Sequence, residues 1–166
     1  MFFVKSSATT HMCPICQSSL TYRDSRIRIR KKEGGIKEKL KIRRFYCKKC
    51  HSYHNELPDC LVPYKHYEAE IITGVLDGIV LSDDLDCEDY PSFSTMKRWL
   101  QWFSGNLERI NGYLATINYN LKEYKESIYN STVSLLYKFR NKYQNWLEII
   151  LRQIYNTGGF LVPTRW

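Results

Sequence analysis

Apolar and polar positions change rhythm along the chain. Between residues 26 and 43 they alternate singly. Ile27 and Ile29 stand between Arg26, Arg28 and Arg30, and Leu40 and Ile42 stand between Lys39, Lys41 and Arg43. A period of two belongs to a strand with one covered face. Gly34-Gly35, between the two runs, carries turn chemistry. The segment is expected to be a β-hairpin that buries Ile27, Ile29, Leu40 and Ile42 on one face and lines the other with cations. From Tyr64 onward the spacing changes to three and four. Tyr67, Ile71, Ile72, Val75, Leu76 and Ile79 mark a helix ending near Asp77-Gly78. The acidic run SDDLDCEDYP, residues 82–91, is expected to be a loop or one short helix. Ser92 or Ser94 then caps a helix whose buried stripe is Met96, Trp99, Leu100 and Phe103.

The same helical spacing continues through Leu107, Ile110, Leu114, Ile117, Leu121, Tyr124 and Ile128. It breaks at Asn130-Ser131 and resumes through Val133, Leu136, Phe139, Tyr143, Leu147, Ile150 and Ile154 up to Gly158-Gly159. Two long amphipathic helices joined by a short turn make an αα-hairpin. Its role is either the chain's own core or self-association through exposed seams. The expected class is α+β: a small N-terminal β-hairpin on a zinc ribbon (11–57), followed by a mostly α-helical body. That body divides into a helix-turn-helix-like segment (64–104), the helical hairpin (105–157) and a C-terminal tail (158–166).

Composition adds little until charge is resolved along the chain. Hydrophobic content of 43% and charged content of 25% are those of a globular protein. No apolar run reaches the roughly 18 residues of a membrane span, and the N-terminal apolar run is too short for a secretory signal. A cytoplasmic protein with no membrane partner is expected. The net charge of +8 is unevenly placed. Residues 1–50 hold 14 Lys/Arg against 3 Asp/Glu, and residues 51–166 hold 11 against 14. A basic block on a near-neutral body points to a polyanion, most simply nucleic acid.

Cysteine spacing supplies the candidate chemistry. Cys13-Pro14-Ile15-Cys16 and Cys47-Lys48-Lys49-Cys50 are two C-x-x-C turns. Two such turns can present four thiolates tetrahedrally, which suits Zn²⁺. The 30 residues between Cys16 and Cys47 exceed the usual spacing, and the basic hairpin absorbs them by bringing both turns to its base. His51 or His54 could replace one cysteine in a Cys3His site. Because four cysteines already satisfy zinc, the expected set is Cys13, Cys16, Cys47 and Cys50. Cys60 and Cys87 have no C-x-x-C partner and are expected to be structural thiols. The nucleic-acid candidates on the ribbon are Arg26, Arg28, Arg30, Lys31, Lys32, Lys39, Lys41, Arg43 and Arg44. On the later helix, Ser94, Thr95, Lys97 and Arg98 occupy the first turns, where a recognition helix meets the major groove.

The run CPIC, the basic hairpin, RRFYCKKC, the LPDCLVPYKHY linker and STMKRWLQWF together resemble a family of small proteins of Gram-positive bacteria. These carry an N-terminal zinc ribbon and a helix-turn-helix-like segment, similar to the DNA-binding front end of insertion-sequence transposases. The resemblance implies mobile-element or regulatory binding of double-stranded DNA. Three further partners stay open: RNA, through base stacking on the many aromatic residues, a second copy in a homodimer, and a separate catalytic or regulatory protein. No Asp/Asp/Glu triad, H-x-E or H-N-H arrangement is in place, so no enzyme activity is expected. The carboxylates Asp83, Asp84, Asp86, Glu88 and Asp89 are read as a solvated loop.

Overall fold

The computed structural model describes residues 1–81, 91–120 and 135–163, without the side chains of 117–120. Four strands form one sheet: β1 (Phe2–Val4), β2 (Thr21–Lys31), β3 (Lys37–Tyr46) and β4 (Tyr53–Asn55). β2 and β3 make the expected hairpin, closed by a short 3-10 turn at Glu33–Gly35. Gly34 and Gly35 have φ of 68° and 73°, which side chains rarely adopt. β3 is the central strand. One edge pairs antiparallel with β2, while the other pairs with β1 in parallel and with β4 antiparallel. Among the described residues five helices follow: α1 (Ala69–Leu76), α2 (Phe93–Ser104), α3 (Leu107–Asn120), α4 (Leu135–Lys142) and α5 (Trp146–Asn156). The class is α+β. No described helix is long and apolar enough to cross a membrane.

The register of the hairpin overturns the expected burial. Arg26 faces Ile42, Arg28 faces Leu40 and Arg30 faces Glu38, whereas Ile27 faces Lys41 and Ile29 faces Lys39. Directly opposed residues share a face, so the arginines of β2 lie on the inner face with Leu40 and Ile42. Ile27 is 58% exposed and Ile29 is 38% exposed. Alternation within each strand was legible. The phase between the strands depends on turn length, and a one-residue difference moves every side chain to the other face. Within the hairpin the inner face is apolar only through β3. Leu40 and Ile42 pack with Leu61 in a small core that Val4, Leu57 and Cys60 flank.

The main core belongs to the helices and includes Ile72, Trp99, Trp102, Ile110, Trp146, Ile150 and Ile154. Adjacent linker residues serve the two cores, Leu61 the small one and Val62 the large one. Backbone bonds from Lys31 N to His66 O (2.7 Å) and from Glu68 N to Lys31 O (3.1 Å) tie the hairpin tip to the start of α1. α1 ends as expected, with Asp77 at its C-cap and Gly78 at φ 71°. It starts at Ala69, later than the spacing from Tyr64 suggests. Asp77 also accepts from Arg140 and, at 3.0 Å, from Trp146 Nε1, joining the end of α1 to α4 and α5.

The two expected long helices are broken where packing demands it. Gly105-Asn106 separates α2 from α3, and Tyr143–Asn145 separates α4 from α5. Asn106 is 3% exposed. Its Nδ2 donates to Trp102 O (2.8 Å) and to Val162 O (3.0 Å), and its Oδ1 accepts from Val162 N (2.8 Å). The side chain therefore closes α2 and clips the C-terminal tail to the body. On α2 the buried positions are Met96, Trp99, Trp102 and Phe103, while Leu100 is exposed. The expected interruption at Asn130-Ser131 lies outside the described residues. So do Leu121, Tyr124, Ile128, Val133, the acidic run over 82–90 including Cys87, and Trp166. Of the helix-turn-helix expected over 64–104, α1 and α2 are described, and the segment 82–90 between them is not.

Candidate metal centre

Each C-x-x-C forms the same knuckle, and the repeat is longer than the cysteines alone suggest. Cys13-Pro14-Ile15-Cys16-Gln17-Ser18 and Cys47-Lys48-Lys49-Cys50-His51-Ser52 share the pattern C-x-x-C-x-S. In both, the first cysteine's N–H donates to the serine carbonyl, at 2.8 and 2.9 Å. In both, the residue before the serine is left-handed, with φ of 58° at Gln17 and 55° at His51. The serine side chain then turns back onto the second cysteine: Ser18 Oγ lies 2.9 Å from Cys16 Sγ, and Ser52 Oγ lies 2.8 Å from Cys50 Sγ. The first knuckle precedes β2 and the second joins β3 to β4, so the hairpin base sets them face to face.

The four sulfurs lie within 4.8 Å of one another. Cys13 Sγ is 3.6 Å from Cys50 Sγ, and Cys16 Sγ is 3.5 Å from Cys47 Sγ. A tetrahedral zinc with bonds of about 2.3 Å needs sulfurs about 3.8 Å apart, so the cage is compatible with Zn²⁺ after an adjustment of a few tenths of an ångström. Cys13 and Cys47 are fully buried. The thiols share protons unequally. Cys47 is held down to about 5, first by the Ser18 hydroxyl 3.2 Å away and then by the Cys50 backbone N–H. Cys16 is lowered, again first by Ser18. Cys50 is pushed up to about 11: the Ser52 hydrogen bond, the largest single influence, opposes this, but burial and the three other thiols outweigh it. Four sulfurs this close cannot all ionise without a cation among them. A bound dication removes that conflict and releases the protons.

Around the sulfurs, His54 Nε2 is 3.4 Å from Cys13 Sγ and 2.9 Å from Ser52 Oγ. His51 Nδ1 is 2.9 Å from the Tyr46 hydroxyl. The ligand-distance cluster is the cysteines alone, with His54 beside it as a hydrogen-bonding neighbour. Residues 13–99 match the model of a domain of unknown function, DUF6431. The chain belongs to the DUF6431 family. No curated protein and no solved structure matches it. The DUF6431 region opens on the first cysteine of the cage and closes at Trp99 in α2, so it encloses both knuckles, the hairpin, the linker and α1.

The remaining candidates of this DUF6431 chain separate into engaged and open cations. Arg43 holds Glu56 through two bonds of 2.6 Å and donates to His11 Nε2 at 3.3 Å. Arg44 pairs with Asp24 through both nitrogens and lies 4.8 Å over the Tyr53 ring. Arg30 binds Glu38 and Glu68 and reaches Cys60 Sγ, and Lys32 binds Glu38 at 3.0 Å. Lys31 sits 4.6 Å over Tyr67. Arg28 donates to Lys65 O at 3.2 Å. Arg26, Lys39 and Lys41 are exposed and make no ion pair among the described residues, as do Arg23, Lys37, Lys48 and Lys49. On α2, Ser94, Lys97 and Arg98 are exposed and Thr95 is half-buried. The Ser92 hydroxyl lies 3.2 Å from Ser94 Oγ and 3.0 Å from Thr95 Oγ1, so the N-cap hydroxyl bonds hydroxyls of the first helical turn. The partners that sequence reasoning missed are Glu56, Asp24, Ser18 and Ser52. Only the serines left a visible mark, in the repeated C-x-x-C-x-S.

Proposed function

We propose that this DUF6431 protein is a non-catalytic, zinc-containing protein that binds double-stranded DNA, as a regulator or accessory factor of a mobile element. Zinc is the ion chosen because four thiolates and no open position favour a closed structural site. Its chemistry when bound is to neutralise and pin the sulfurs, fixing both ends of the hairpin. The observation that carries the reading is the set of seven exposed ribbon cations without ion-pair partners among the described residues: Arg23, Arg26, Lys37, Lys39, Lys41, Lys48 and Lys49. Carboxylates already hold Arg30, Lys32, Arg43 and Arg44, which brace the ribbon. Base contacts fall to Ser94, Thr95, Lys97 and Arg98 in the first turns of α2, and phosphate contacts to the open cations.

The test is the salt dependence of duplex binding by the zinc-loaded protein, read by fluorescence anisotropy. Each phosphate neutralised contributes a log–log slope of about −0.9, so the seven open ribbon cations bound the ribbon's share at roughly −6. No retardation of any duplex in dilute buffer would overturn the proposal. A second reading, a protein-interaction adaptor with zinc purely structural, has one observation in its favour. The outer sheet face exposes Phe3, Ile27 and Ile29 beside Lys39 and Lys41. An adaptor would bind its partner with little salt dependence and would not be displaced by duplex DNA.

A further inference from the structure

The inner face of the hairpin is covered only in part. Toward the tip, Arg30 and Leu40 lie under the linker, where Arg30 meets Cys60 and Glu68. Toward the base the linker departs, and a half-open cleft of about 330 Å³ remains. Arg26, Arg28 and Arg44 line it, with Ile42 behind them and Tyr53 and Asn55 from β4 along one side. A sheet face meant for core would carry apolar side chains on both strands. Here β2 contributes arginines at alternate positions.

The charges in the cleft are unbalanced. Three guanidiniums line it, and among the described residues the one carboxylate bonded to any of them is Asp24, which Arg44 holds. Arg44 is further fixed 4.8 Å over Tyr53, so its charge stays at the wall. Arg28 has one end secured on Lys65 O, while its Nε–H is buried with no acceptor among the described residues. A buried donor left unpaired costs free energy that an incoming acceptor recovers. Arg26 is exposed at the mouth and makes no ion pair among the described residues.

We propose that this cleft is a seat for a phosphate group. Arg28 Nε donates to one oxygen, Arg26 closes over another, and the Asn55 amide supplies a neutral donor at the rim. Guanidinium forks suit phosphate oxygens, and the held Arg44 contributes field without a bond of its own. The phosphodiester of a nucleic-acid strand is the favoured source, a choice that rests on the DNA-binding reading. Free phosphate offers the same oxygens.

The test follows the arginine Nε–H resonances of the full-length zinc-loaded protein by NMR while adding inorganic phosphate or, separately, a short duplex. The Arg28 signal should shift saturably with both. R28K keeps the charge but lacks the Nε donor, and R26Q alters only an exposed side chain. Each should weaken phosphate binding roughly tenfold, the worth of one charge-assisted hydrogen bond. R109Q, at an exposed position of α3 away from the cleft, should leave phosphate affinity unchanged. A saturable shift by phosphate together with a failure to bind duplex would uphold the seat, assign it to free phosphate and sink the DNA reading. If neither ligand moves Arg28, or R109Q abolishes the response while R28K does not, the seat is overturned.

Discussion

Replacing Asn106 tests how the body holds its C-terminal tail. The side chain is buried and spends every polar atom: two donations, to Trp102 O and Val162 O, and one acceptance, from Val162 N. Asn106→Ala removes three hydrogen bonds. At about 0.5–1.5 kcal/mol net for each, the expected loss is about 1.5–4.5 kcal/mol. For a chain of this size that corresponds to a fall in Tm of about 3–18 °C. Asn106→Asp sharpens the test. It keeps the acceptor for Val162 N–H but sets a carboxylate against two carbonyl oxygens in a buried place, so it should cost more than alanine. The companion site is Leu161, 2% exposed in the main core, where Leu161→Ala should cost about 2–5 kcal/mol. Both residues fasten one segment, so the double variant should lose less than the sum of the two. Thermal and urea unfolding followed by circular dichroism give all four values. Full additivity, or an Asn106→Asp variant as stable as the parent, would refute the clip.

The tail also touches the metal knuckle, which gives a second expectation. A Cβ on Gly158, at φ 82°, would stand 2.7 Å from Pro14 O, so Gly158→Ala should destabilise by about 1–3 kcal/mol and speed zinc loss to a chelator, read with a colorimetric zinc indicator. Removing the metal should disorder the ribbon and leave the helical core, which has its own buried set; helical ellipticity should persist while the tyrosine near-ultraviolet signal falls. Glu56 should make stability depend on acid. Arg43 and Ser6 overcome the opposing effect of burial, the largest one, and hold its carboxyl down to about 2. A folded value below the unfolded one stabilises above the ordinary carboxylate range and is lost as pH falls toward 2, so Glu56→Gln should cost about 2 kcal/mol near neutrality and progressively less in acid, measured by urea melts. Within the DNA-binding proposal, K39A/K41A should flatten the salt slope by about 1.8, and an unchanged slope would place the strand elsewhere.

What could be seen in the chain beforehand divides along the range of the interactions. Local features were legible: the Gly34-Gly35 turn, the end of α1 at Asp77-Gly78, and the two C-x-x-C knuckles each depend on neighbours within a few residues. The four-sulfur cluster followed because a hairpin returns its ends to one place whatever its register. Register itself was not legible, and that reversed the assignment of the arginines. Ile27 and Ile29 look like core on a period-two pattern, yet the turn phases them with Lys41 and Lys39. The helix breaks escaped for a related reason. Asn106 continues the spacing of its neighbours without fault, and only Val162, 56 residues later, makes it a cap. The same holds for charge. Summed along the sequence, the first 50 residues are a uniform basic block. In space Glu56, Asp24, Glu38 and Glu68 take up Arg43, Arg44, Arg30 and Lys32. Two of those carboxylates, Glu56 and Glu68, come from beyond the block itself. The arginines given over to bracing are those whose fork meets a carboxylate, and the exposed cations left open are five lysines of β3 and the second knuckle and two arginines of β2. A polyanion therefore meets a sparser and more ordered set of charges than the composition implies, and the spacing of that set, rather than its total, decides what can lie along it.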